Sequence, residues 1–133
     1  QDQEITFTRC RPYKKNDQAH VEQKNWSVVR RLIGYDRLET PEELALLRNI
    51  YADWRLYVNF FQPVLKLTAK KRFGSKVIKC YDTAATPFRR VLASDLISID
   101  DKARLIFLYN HLNPVTLRKQ TDHNVAILWK LIR

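Results

Sequence analysis

A chain of 133 residues with 45% apolar content, three Trp, six Tyr and six Phe can build one compact core, which excludes a wholly disordered polypeptide. Two Gly and five Pro supply too little turn punctuation for an all-β protein, so a helix-rich fold is expected. The 24 Lys and Arg outnumber the 14 Asp and Glu to give a net charge of +10, which points to a polyanionic partner, nucleic acid before membrane, and no apolar run approaches the roughly 18 residues of a bilayer span.

Residues 4–11 alternate Ile5 and Phe7 against Thr6, Thr8 and Cys10, the period of a short strand. Pro12 ends it, and a polar loop follows in which Asn16 or Asp17 is placed to cap the next helix. Over 19–33 the apolar set Val21, Val28, Val29, Leu32 and Ile33 has helical spacing, with Glu22, Trp26 and Arg30 on an adjoining i+4 stripe, and Gly34 stops the helix. Glu22 is a lone carboxylate among Lys14, Lys15, Lys24, Arg30 and Arg31. It is either a charge-balancing residue on a solvated helix or a metal ligand where cations also hold a polyanion.

Thr40, Pro41 and Glu43 form a capping-box start for a helix expected to run to about Asn59, burying Leu44, Leu47, Ile50, Tyr51, Trp54, Tyr57, Val58 and Phe61 before Pro63 closes it. Residues 66–81 read as a two-stranded hairpin turning at Phe73, Gly74 and Ser75. From residue 66 to residue 90 there are eight basic residues against one acid, Asp82, so most of the net charge sits in one quarter of the chain. So one-sided a run on a hairpin favours phosphate contacts over an ordinary solvated face, through Lys66, Lys70, Lys71, Arg72, Lys76 and Lys79.

A helix is expected over 88–94 with Val91 and Leu92 inward, and another over 102–112, capped from 98–101, with Ala103, Ile106, Phe107 and Tyr109 as its apolar face. Asn113 and Pro114 break that helix, 115–120 has room for a last short turn, and 125–133, apolar and basic in alternation around Trp129, is too short to assign. Cys10 and Cys80 have neither C-x-x-C spacing nor a His in register, so reduced, cytosolic thiols are the simpler reading than a zinc site. The opening on Gln1 within a polar run suggests a piece of something longer.

Several stretches carry a family resemblance. K-K-N-D-Q-A-H-V-E-Q-K-N-W (14–26), V-R-R (29–31) and Y-D-R (35–37) resemble the last third of the integrase-like catalytic core of bacterial insertion-sequence transposases, the DDE family with a ribonuclease H-like fold. Y-V-N-F-F-Q-P (57–63) is similar to a late helix of that core. Y-D-T-A-A-T-P-F-R-R-V-L (81–92) and L-N-P-V-T-L-R-K (112–119) look like the region after it.

The resemblance implies an α+β, helix-rich chain: residues 1–66 as the C-terminal part of a ribonuclease H-like core, and 67–133 as a basic extension of a hairpin and short helices. It implies that Glu22 is a catalytic carboxylate and a ligand to Mg²⁺ or Mn²⁺ in a two-metal site that cleaves and transfers DNA strands. Lys14, Lys15, Lys24, Arg30 and Arg31 would contact DNA around it, by position rather than by motif. It further implies transposon-end and target DNA as partners, self-association of the intact parent and a place in the bacterial cytoplasm. The family's two Asp ligands precede the Glu on earlier strands, and neither Asp2 nor Asp17 stands in a matching context. One carboxylate of three cannot hold two metals, so this chain alone is expected to be inactive. The alternative is a basic DNA-binding or assembly module without catalysis.

Overall fold

The computed structural model describes residues 11–14 and 18–132. The strand expected over 4–11, all but Arg11, lies outside them, as do Cys10, Lys15 and the candidate caps Asn16 and Asp17. Packing divides the chain into two compact units, Gln1–Arg37 and Leu38–Arg133, so residues 38–66 and 67–133 share the second.

In the first unit, α1 (Ala19–Lys24) continues through a π-helical turn (Asn25–Arg30) into α2 (Arg31–Ile33). The helix thus has the extent that its apolar spacing predicts, but not the pitch. In the middle turn the Arg31 N–H bonds the Trp26 carbonyl, five residues back rather than four. Gln18 precedes α1 without a side-chain cap. Gly34 ends α2 at φ 91, a backbone conformation that side chains other than glycine's rarely tolerate. Ile33 is buried, Val28, Val29 and Leu32 are half-buried, and Val21, expected on the same face, is 69% exposed.

The second unit begins with α3 (Pro41–Phe61) and the capping box that Thr40 and Glu43 predict. Thr40 Oγ1 accepts from the Glu43 N–H at 3.2 Å, and the Glu43 carboxylate accepts from the N–H groups of Glu39 and Thr40 at 2.7 and 2.9 Å. α3 runs two residues past Asn59 and stops before Pro63. It packs along α6 (Pro114–Ile132), and the fully buried side chains Ile50, Thr121 and Leu128 belong to these two helices. Leu44, assigned to the buried face from spacing, is exposed, while Phe60 is buried.

In place of the short turn expected over 115–120, α6 is a single 19-residue helix that also takes in 125–132, where no element was assigned. Its start lies in the residues that end α5 (Ile99–His111). Asn113 Oδ1 accepts from the N–H groups of Val115 and Thr116 at 2.9 and 3.2 Å, and Pro114 occupies the first helical position, where a missing N–H is harmless.

α4 (Pro87–Leu92) and α5 close the unit against the end of α3. Phe60, Phe61, Phe88 and Tyr109 form one aromatic cluster, with centroids 4.8 Å apart for Phe88–Tyr109 and 5.0 Å for Phe60–Phe88. α4 starts at Pro87 and buries Phe88, leaving Val91 and Leu92 half-buried. α5 starts at Ile99, three residues earlier than expected, because Ser98 itself is the cap. Of the face predicted for it, Tyr109 joins the cluster, whereas Ala103, Ile106 and Phe107 are exposed and Leu105 is half-buried.

Between α3 and α4 stands the sheet found among the described residues, the antiparallel hairpin β1 (Leu67–Phe73) and β2 (Lys76–Tyr81). The fold is α+β, and it is helix-rich as composition predicts.

Candidate nucleic-acid interface

The hairpin is fixed at its base and open everywhere else. Below the strands, Val64 and Ala85 exchange backbone hydrogen bonds at 3.0 and 3.2 Å, and Asp82 bonds Lys66 twice, main chain to main chain at 2.9 Å and through Oδ1 to the Lys66 N–H at 2.7 Å. The Arg90 guanidinium then donates to Asp82 Oδ2 at 2.6 Å and to the Val64 carbonyl at 2.8 Å, so α4 holds both ends of the hairpin. The Arg90 hydrogen bond, followed by the Lys66 N–H, holds the Asp82 carboxyl below the usual carboxylate range.

This clamp changes the reading of the basic run. Arg90 is occupied by Asp82, and one of the eight cations is thereby structural. Sequence reasoning missed the pair, although its signal was present: the single acid in a run of eight bases is the residue expected to have an internal partner.

Above the clamp the strands are solvated. The register sets Lys70 opposite Lys79, Lys71 opposite Ile78, Arg72 opposite Val77 and Phe73 opposite Lys76, after an irregularity between Leu67 and Ala69. There Thr68 Oγ1 donates to the Cys80 carbonyl at 3.1 Å, occupying an acceptor beside the extra residue. Every strand residue but the half-buried Ala69 is exposed. No ion pair engages Lys70, Lys71, Arg72, Lys76 or Lys79 among the described residues. Two-stranded hairpins are marginal in water without further packing, so the base clamp is what holds this one. At the tip, Gly74 turns at φ 58, and its carbonyl accepts from Arg72 Nε at 3.3 Å.

The cations of the first unit are held differently. Arg31 lies over the Trp26 ring at 5.3 Å, and Arg30 lies over the Tyr35 ring at 4.8 Å with a bond to the Gly34 carbonyl at 3.3 Å. Spacing alone pairs Trp26 with Arg30. The π turn brings residues five apart into line, so its partner is Arg31. Lys14 and Lys24 are exposed, and Glu22 is exposed in the first turn of α1. Among the described residues no three His, Cys, Asp or Glu side chains gather into a group that could hold a metal ion. Glu22 by itself does not fit a Mg²⁺ or Mn²⁺ site, which takes several oxygen ligands. No described helix is long and apolar enough to cross a membrane.

No family model matches the sequence, and no solved structure matches it. Among curated proteins it is similar to Uncharacterized protein y4rM of Sinorhizobium fredii (strain NBRC 101917 / NGR234), with 50% identity over 88 residues, 66% of this chain and 25% of that protein. The chain therefore spans about a quarter of the length of the curated relative it matches. Wherever a continuous stretch of 88 residues lies in a chain of 133, it includes residues 46–88, and with them the whole hairpin and Asp82.

Proposed function

We propose that this chain is the C-terminal part of a DDE transposase or integrase of bacterial insertion sequences, and that it binds DNA through its basic hairpin. The observation that carries the DNA-binding reading is the arrangement of β1 and β2. Five exposed cations, Lys70, Lys71, Arg72, Lys76 and Lys79, lie on a hairpin without ion-pair partners among the described residues, while the one nearby acid is consumed by Arg90 at the base. Like charges concentrated in this way oppose the folded hairpin, and a polyanion relieves that opposition. Lys66 lies at the foot of β1, where it extends the cationic run.

In the intact parent, residues 1–66 would complete a ribonuclease H-like core. Glu22 would be one of three carboxylates around Mg²⁺ or Mn²⁺, the other two coming from residues outside this chain, in a self-associating protein of the bacterial cytoplasm. Arg30 and Arg31, oriented by Tyr35 and Trp26, and Lys14, Lys15 and Lys24 would contact DNA beside it. No catalytic step is assigned to the chain by itself, because Glu22 belongs to no group of three His, Cys, Asp or Glu side chains that could hold a metal ion among the described residues. That same observation favours the second reading, a DNA-binding or assembly module without catalysis.

Two experiments separate these. The chain alone should not nick supercoiled plasmid with Mg²⁺ or Mn²⁺; turnover abolished by Glu22→Ala would overturn that expectation. The coding DNA immediately upstream should encode strands bearing two Asp residues, in frame or one frameshift away, and the lack of such a segment would decide for the module.

A further inference from the structure

The register of the hairpin makes its two faces chemically unlike. Residues that alternate along a strand share a face, as do residues directly opposite across the ladder. One face of the regular ladder therefore presents Lys70, Arg72, Val77 and Lys79, and the other Ala69, Lys71, Phe73, Lys76, Ile78 and Cys80. Three of four positions on the first are cationic. On the second the two lysines are separated by apolar groups, and Ala69 is already half-buried.

We propose that the hairpin binds duplex DNA through the first face alone, with phosphate oxygens seated on Lys70, Arg72 and Lys79. Lys71 and Lys76 lie off that contact. The inference rests on the DNA-binding reading above and adds to it the face and the residues.

Two features of the first face suit a phosphate. Lys70 and Lys79 stand directly opposite one another with no carboxylate within ion-pair distance among the described residues, a pairing that destabilises a ladder until an anion lies between them. Arg72 is held toward the turn by the bond from its Nε to the Gly74 carbonyl, which leaves the terminal nitrogens to donate as a fork. The second face would instead set Phe73 and Ile78 against phosphates, where neither group gains a partner. A two-stranded ribbon also has the width to follow a DNA groove.

The test compares two double variants of the full chain by fluorescence anisotropy on a labelled duplex of arbitrary sequence, titrated with salt. Lys70→Gln with Lys79→Gln and Lys71→Gln with Lys76→Gln each remove two charges, so any effect of net charge alone is matched. The first pair should lower affinity at least about tenfold near 0.1 M salt and flatten the dependence of log K on log salt by about 2. The second pair should stay within about threefold of the parent. Equal losses in both pairs, or the greater loss in the second, would overturn the one-face inference while leaving DNA binding by the hairpin in place. Duplex binding that neither pair alters, or no binding by the parent chain, would overturn both readings. Removing the Lys70–Lys79 repulsion should leave the melting temperature of the unbound chain unchanged or raised, so lost affinity with an intact melt reports the contact and not unfolding.

Discussion

At the scale of single residues, Asp82 and Arg90 decide the most. Asp82 is hydrogen-bonded by the Arg90 guanidinium and the Lys66 N–H, and both favour its ionised form. Its carboxyl therefore titrates below the unfolded value of about 3.9. With the folded value depressed, the stabilisation is fully present above the unfolded value and is lost as pH falls through the folded one. Amide exchange in β1 and β2 should accordingly quicken as the pH is taken from 5 to below 3, relative to unstructured amides at the same pH. Asp82→Asn should show fast hairpin exchange already at pH 7 and lose that acid dependence. A hairpin of unchanged protection in Asp82→Asn would contradict the clamp. Glu43 shifts in the same direction through the backbone bonds of its capping box, so acid melting of the whole unit reports both groups, whereas hairpin amides report Asp82.

Among the elements, what was legible in the sequence was what local chemistry dictates. The Thr40–Pro41–Glu43 start, the Gly34 stop and the turn at Gly74 each follow from a side chain acting on its own neighbourhood, and each is found, whereas a cap placed only within 98–101 put the start of α5 three residues late. The faces of helices depend on partners, and there periodicity failed. α5 carries apolar residues nearly all round, at Ile99, Leu105, Ile106, Phe107, Leu108 and Tyr109, so spacing cannot choose among them; the aromatic cluster at the end of α3 does. α6 was hidden for another reason. Asn113 and Pro114 both end one helix and begin the next, and only the beginning was overlooked. The π turn leaves no mark at a period of 3.6. Two consequences can be measured by denaturation. Leu128→Ala, in the fully buried part of α6, should cost about 2–5 kcal/mol, and Thr40→Ala, which removes the cap of α3, about 1 kcal/mol. A cost near zero for Leu128→Ala would mean that α6 does not pack along α3.

Over the whole molecule, the candidate site was legible as charge but not as arrangement. Alternation and the turn at Gly74 located the hairpin, the count of bases against Asp82 marked its charge, and composition alone was enough to point to a polyanion. Which cations are available followed only from the register and from the clamp, because Arg90 looks like any other base in the sequence. Glu22 remains the feature most suggestive of catalysis, and among the described residues no group of three His, Cys, Asp or Glu side chains forms around it that could hold a metal ion. The claim that matters most is that this binding belongs to the hairpin. It is tested most directly by titrating salt against duplex affinity for the parent chain, for Glu22→Ala and for a triple variant with Lys70, Lys71 and Lys76 each replaced by Glu. The parent and Glu22→Ala should give the same steep decline of log K with log salt, about 0.9 for each phosphate contacted, and the triple variant should bind too weakly to measure near 0.1 M salt. A triple variant that binds as the parent does would contradict the account.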